Sequence, residues 1–194
     1  TFARVRVEES QLVLDPGPLS TPFACLRPLI AQLIFTHVFL GIAEGAFEEA
    51  RQYTLKEARP WFRSSAATVG EDPYVLGHYG EFWVGLESTR LLVRRAAQLL
   101  DDAWSKGAAL EAEERGRLAV AIATAKVAAT RNGLEICNRL FEVTGARSTH
   151  AALRIDRYWR NLRTQTLHDP VDYKVRELGD WALNQQLPQP TFYS

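Results

Sequence analysis

Hydrophobic positions along this chain fall into two periods. The first fourteen residues, "TFARVRVEESQLVL", alternate: Val5 and Val7 share one register, Leu12 and Leu14 another, with polar residues between them. Alternation of that kind predicts short strands. "DPGPLSTP", residues 15 to 22, is a cluster of breakers and predicts a boundary. Beyond it the period is helical almost throughout.

A first helix is predicted over 26–62, apolar through most of its first half, with Pro28 in its first turn. "RPWF", residues 59 to 62, ends it, because Pro60 disfavours helix at Arg59. A second helix is predicted over 74–106. Its seam is Tyr79, Phe82, Leu86, Thr89, Val93, Ala96, Leu100 and Ala103, alternating steps of about three and four residues. Gly107 suits its C-terminal cap. A third helix over 111–144 repeats the pattern through Leu118, Ile122, Ala125, Ala129, Ile136, Leu140 and Val143, interrupted by Asn132 and Gly133 and stopped by Gly145. A short helix over 156–164 carries Arg157, Arg160 and Arg163. Asp169 as cap and Pro170 as first residue then predict a last helix to about Asn184, followed by an extended tail. The expected architecture is mainly α: an up-down helical bundle over 18–194, with residues 1–17 a short β remnant, the tail of a β-domain absent from this chain. The lack of any methionine strengthens the expectation of a C-terminal fragment.

Composition narrows the partners. Acids and bases balance at 23 each, so no net field favours nucleic acid or an anionic membrane. "RYWRNLR" is too short for a nucleic-acid patch. "LIAQLIFTHVFLGIAEGAF" contains Gln32, His37 and Glu44 and reads as a buried core helix, not a membrane span. Gly41 and Gly45, four residues apart on it, would let another helix approach. Cys25 and Cys137 have no ligand-like spacing and read as free, buried thiols of a cytoplasmic protein.

Candidate chemistry is sparse. No histidine has a glutamate three residues before it, which excludes the di-metal carboxylate bundle, and no metal is expected. No Gly-rich phosphate loop or nucleophile elbow occurs. What remains is Arg59 beside Pro60 and Trp61, Arg147 just past Gly145, and His168 in "TQTLHDPVDYK". Each arginine is either a solvated or capping side chain or a ligand contact. His168 is either the residue before an Asp cap, packed on Tyr173, or a titratable imidazole at a helix start facing an oxygen-rich or flavin-like ligand.

The strand tail, the Pro/Gly boundary, three long helices and then "RYWRNLRTQTLHDPVDYKVRELGDWALN", with "GARST" before it and "PTFYS" after, resemble the C-terminal part of the acyl-CoA dehydrogenase superfamily. Within it they resemble the flavin-dependent monooxygenases of the dibenzothiophene and sulfone monooxygenase group. The resemblance covers essentially all of the helical region. It implies an enzyme that takes reduced FMN from a separate flavin reductase. A flavin C4a-(hydro)peroxide then oxygenates an organosulfur or aromatic small molecule. It further implies that His168 lines the flavin site, that Arg59 and Arg147 contact the flavin phosphate, one of them across a subunit interface, and that the protein is a homo-oligomer, a dimer of dimers. The isolated fragment would then be inactive. One departure stands out: Gln165 occupies a position where a relative has a second histidine, and it cannot titrate. Two alternatives stay open. An FAD-dependent acyl-CoA dehydrogenase needs a catalytic glutamate, absent from the late motif but available as Glu44, Glu48 or Glu49 on the first helix. An oligomerisation module would need no chemistry at all.

Overall fold

The computed structural model describes residues 3–12 and 19–193. Five α-helices appear among them: α1 (Leu26–Glu57), α2 (Pro73–Lys106), α3 (Ala112–Thr144), α4 (Arg157–Thr166) and α5 (Val171–Asn184). Helix ends follow local chemistry. The Asp72 carboxylate accepts from the Tyr74 and Val75 amides with Pro73 in the first turn, which starts α2. Gly107 at φ 54° ends it. A Glu111–Glu114 capping box starts α3, and Gly145 at φ 76° stops it. α1 stops at Glu57, short of the expected Phe62: Ala58 is already extended, two residues before Pro60.

Cross-links between helices fix the topology. The Thr54 hydroxyl, late in α1, donates to the Val143 carbonyl, late in α3, so these two run parallel. Arg139, late in α3, pairs with Glu81, early in α2, which therefore runs antiparallel. The long helices thus go up, down and up, and α3 packs against all four others. The predicted seams face the core: on α2 all but the half-buried Tyr79 and Leu100 are buried, and on α3 every seam position from Leu118 to Val143 is. Both apparent interruptions of the α3 seam are packing devices. Asn132 donates to the Gly85 carbonyl and the Thr89 hydroxyl of α2. A Cβ on Gly133 would lie 2.8 Å from Leu162 of α4.

α1 is long and apolar enough to cross a membrane by composition alone, yet it supplies Leu26, Leu29, Leu33, Phe39 and Ala43 to the shared core. Its Gly45 is filled from within the chain, since an added Cβ would meet the Tyr158 ring of α4 at 3.1 Å, whereas nothing lies within 4 Å of Gly41.

The β remnant is not formed among the described residues. Residues 3–12 hold one 3-10 turn, Glu9–Gln11, and Val5 and Val7 are 61% and 53% exposed. An alternating segment without a partner strand has nothing to complete its hydrogen bonds. The first half of the expected boundary, residues 15–18, lies outside the described residues, as do 13 and 14. Asp169 also departs from expectation. Pro170 occupies the cap position of α5 and no side chain caps it; the Asp169 carboxylate points elsewhere.

Gly133 yields a test of the α3–α4 contact. Gly133→Val should cost about 2 kcal/mol by overpacking and lower the thermal midpoint by roughly 4–8 °C. An unchanged midpoint would mean that Leu162 gives way freely.

Candidate functional site

Two concave sites hold the candidate residues. At one end of the bundle, the chain leaving α1 and the turn after α3 (Ala146–Thr149) face each other across a cleft of about 560 Å³. Arg59 and Arg147 both line it, with Trp61, Tyr74, His78 and Glu142. Arg147 donates one 3.4 Å bond to the Glu57 carbonyl, the exposed end of α1. The Arg59 side chain has no hydrogen-bond or ion-pair partner among the described residues. Both guanidiniums are exposed and free to take up an anion, and forked donors of this kind match phosphate oxygens. His78 is fixed in the wall by the Arg139 guanidinium, which donates to its Nδ1 at 2.7 Å, while Arg139 also pairs with Glu81 and Glu142.

The second site is a pocket of about 170 Å³ between α1, α3, the α4–α5 turn and the C-terminal tail. Phe35, Phe39, Gln165, His168, Phe192 and Tyr193 line it. The His168 ring lies 6.2 Å from that of Phe35. Its sequence neighbour Tyr173 is exposed and is not its packing partner, as the helix-start reading had it. The imidazole nitrogens have no hydrogen-bond partner among the described residues, so they are available to a ligand. Gln165 sits on the same wall and adds a neutral donor and acceptor.

The two sites share no lining residue. Phe35 and Glu57 mark their places on α1, and a rise of about 1.5 Å per residue separates them by roughly 33 Å. The fold thus joins Arg59 with Arg147 and keeps His168 apart from both.

Sequence reasoning missed the polar floor of the His168 pocket. The Asp169 carboxylate accepts from the Gln32 side-chain amide at 2.8 Å and from the Lys126 ammonium, which also donates to Gln32 Oε1. Lys126 is 3% exposed. Burial depresses the Lys126 ammonium against the pull of Asp169. Burial alone would raise the Asp169 carboxyl, but Lys126 and Gln32 outweigh it and hold it below the usual carboxylate range. A signal was present: Gln32 and Lys126 each sit on an otherwise apolar seam, where a polar side chain needs a partner.

The three α1 glutamates open to the dehydrogenase alternative, Glu44, Glu48 and Glu49, are engaged. Glu44 receives the Arg90 guanidinium at 2.6 Å. Arg51 and Gln52 pull Glu48 down to about 2. Burial would raise Glu49, but Arg157 and the Tyr158 hydroxyl, at 2.6 Å, hold it below the ordinary range. Each is ion-paired, which disfavours it as a catalytic base. Among the described residues no three His, Cys, Asp or Glu side chains gather as a metal would require. Cys25 and Cys137 are free and buried, and burial pushes the Cys137 thiol up to about 12.

Three long helices closed by two short ones, with an arginine cleft at one end and an imidazole pocket far along the same helix, define a helical-bundle domain with two separate clefts. The chain belongs to the acyl-CoA dehydrogenase C-terminal domain family, which matches residues 33–173. It is 77% identical over 194 residues to the probable FMNH2-dependent monooxygenase SfnC of Pseudomonas putida, covering all of this chain and 49% of SfnC. The methanesulfinate monooxygenase MsuC of Pseudomonas fluorescens superposes with a TM-score of 0.94 at 80% identity, over 100% of this chain and 50% of MsuC. FMN-bound TdsC of Paenibacillus sp. A11-2, a dibenzothiophene monooxygenase, superposes with a TM-score of 0.88 at 43% identity, over 95% of this chain and 46% of TdsC. The chain therefore spans about half the length of these relatives.

The Lys126–Asp169 pair has a pH signature. The folded-state pKa of Asp169 lies below its unfolded value. The stability it contributes is therefore complete above about pH 4 and is lost as pH falls through the folded value. Asp169→Asn should flatten the acid limb of a midpoint-against-pH curve and cost about 3 kcal/mol at neutral pH by leaving a buried cation unpaired. An acid limb of unchanged slope would show that other carboxylates carry it.

Proposed function

We propose that this chain is the C-terminal domain of a reduced-flavin (FMNH2)-dependent monooxygenase acting on a small organosulfur compound. The observation that carries the reading is the pairing of Arg59 and Arg147, two exposed guanidiniums free of carboxylate partners, in one cleft. The identity to SfnC and MsuC and the FMN in TdsC support it. High identity to MsuC favours a small sulfinate over a polycyclic thiophene as the substrate.

In this reading Arg59 and Arg147 grip the flavin phosphate, and His168 hydrogen-bonds the isoalloxazine edge. The aromatic wall of Phe35, Phe39 and Phe192 keeps water from the reacting face. Reduced FMN, once bound, supplies the activation of O₂ and the transfer of one oxygen atom to the substrate. A separation of roughly 33 Å along α1 exceeds the reach of one FMN molecule. A flavin held by both sites would therefore take its phosphate contacts from one copy of the chain and His168 from another. The reading thus requires at least two copies of the chain and a flavin reductase as the supplier; the family resemblance adds a dimer of dimers in the cytoplasm. The exposed Ile34 and Val38 on α1 offer apolar surface for such contacts. Residues 1–17 then lead out of a β-domain that builds the remaining walls, and the chain alone turns over no substrate. The acyl-CoA dehydrogenase alternative is disfavoured by the ion-paired state of Glu44, Glu48 and Glu49.

Anaerobic titration of the full-length protein with reduced FMN tests the reading. Arg59→Ala and Arg147→Ala should each weaken binding about tenfold, a loss near 1.4 kcal/mol, with midpoints shifted by less than about 2 °C because surface substitutions cost little. Wild-type affinity in both variants would remove the phosphate assignment. Co-purifying FAD that is bleached by an acyl-CoA would replace the monooxygenase reading with the dehydrogenase one.

A further inference from the structure

The buried triangle of Lys126, Gln32 and Asp169 needs a reason beyond stability. Taking a Lys–Asp pair out of water costs about as much as the pair returns, and apolar residues of similar volume would hold α1 and α3 together at least as well. What apolar residues could not do is fix one particular turn. Asp169 belongs to no helix; it lies in the turn between α4 and α5, directly after His168.

That turn has little else to hold it. Leu167, His168 and Pro170 are exposed, and Asp169 alone among the four turn residues is drawn inward. The backbone bonds of the turn run only into its own two helices: the Leu167 and His168 amides donate back to Thr164 and Gln165 of α4, and the Pro170 carbonyl accepts from the Tyr173 amide of α5. No backbone bond ties the turn to α1 or α3. The Asp169 carboxylate does so, through Gln32 of α1 and Lys126 of α3. Phe35, the ring beside His168, stands three residues after Gln32, about one turn along the same helix. The triangle therefore holds the imidazole and its aromatic neighbour in a single frame.

The geometry points to Lys126 and Asp169 as positioning residues for His168. From the pocket floor they set the position of the imidazole, and they act through it. The inference rests on the flavin-binding role of His168 proposed above. Gln32 completes the frame by orienting the carboxylate.

The test is a mutant cycle in the full-length protein, read by reduced-FMN affinity, kcat with a small sulfinate, and thermal midpoint. Lys126→Met alone strands a buried carboxylate and should melt early, so the informative variant is Lys126→Met/Asp169→Leu, which removes both charges together. Lys126→Met/Asp169→Asn, which also removes both charges, repeats the cycle with less change in volume at residue 169. The paired variant should keep a midpoint within a few degrees of wild type. It should also lose about tenfold in FMN affinity and kcat, the same factors as His168→Ala. Adding His168→Ala to it should cost nothing more, because groups that act through one another do not add. Losses that multiply would overturn the positioning role and leave the triangle as a helix clamp, and so would wild-type affinity in the paired variant. A His168→Ala enzyme with unchanged affinity and kcat would instead overturn the role of the histidine itself, and the positioning role with it.

Discussion

Small side chains on α3 let four helices pack against it at once. Ala119, Ala123, Ala125, Ala129 and Gly133 are buried on different sides of one cylinder, and each admits a neighbour that a larger residue would push away. Leu162 of α4 closes over Gly133, and Leu187 of the C-terminal tail closes over Gly116. The long helices are anchored along this axis, so what happens at their ends follows from how they lie against it. The loop arginines meet because α1 and α3 run parallel and finish side by side. His168 reaches its pocket because α4 lies across α1 and α3 and returns the chain toward them.

The long helices were legible because burial on one side of a helix imposes a spacing that propensity alone does not. Every seam position named on α3 is buried. The turn residues were legible too: Asp72, Pro73, Gly107 and Gly145 act through their own backbone and need no distant partner. Asp169 was misread for the opposite reason. An aspartate before a proline has the local look of a helix cap, but Lys126, 43 residues away, and Gln32, 137 residues away, bind its carboxylate more strongly. Periodicity carries no information about such a pairing. The strand expected at the N-terminus is not seen among the described residues, since alternation describes a face and says nothing about whether a partner strand is there to use it.

The candidate site was legible only in pieces. Arg59, Arg147 and His168 could be named from their loops and from the family resemblance, but not their distribution. The structure puts the two arginines on one cleft and the histidine on another. It also engages the glutamates that a dehydrogenase would need, each through a contact between helices or along α1. Chemistry here is narrowed as much by which charges are already spoken for as by which remain free.

On the proposed two-copy reading, the length of α1 has a genetic consequence. With the proposed phosphate contacts near one end and the imidazole near the other, a flavin site assembled from two copies would be owned by neither. A copy damaged at Arg59 would still lend a sound His168 to its neighbour, and a copy damaged at His168 would still lend sound arginines. Two such defective alleles in one cell would rebuild an intact site in some of their mixed assemblies, and inheritance of the defect would depend on which alleles meet.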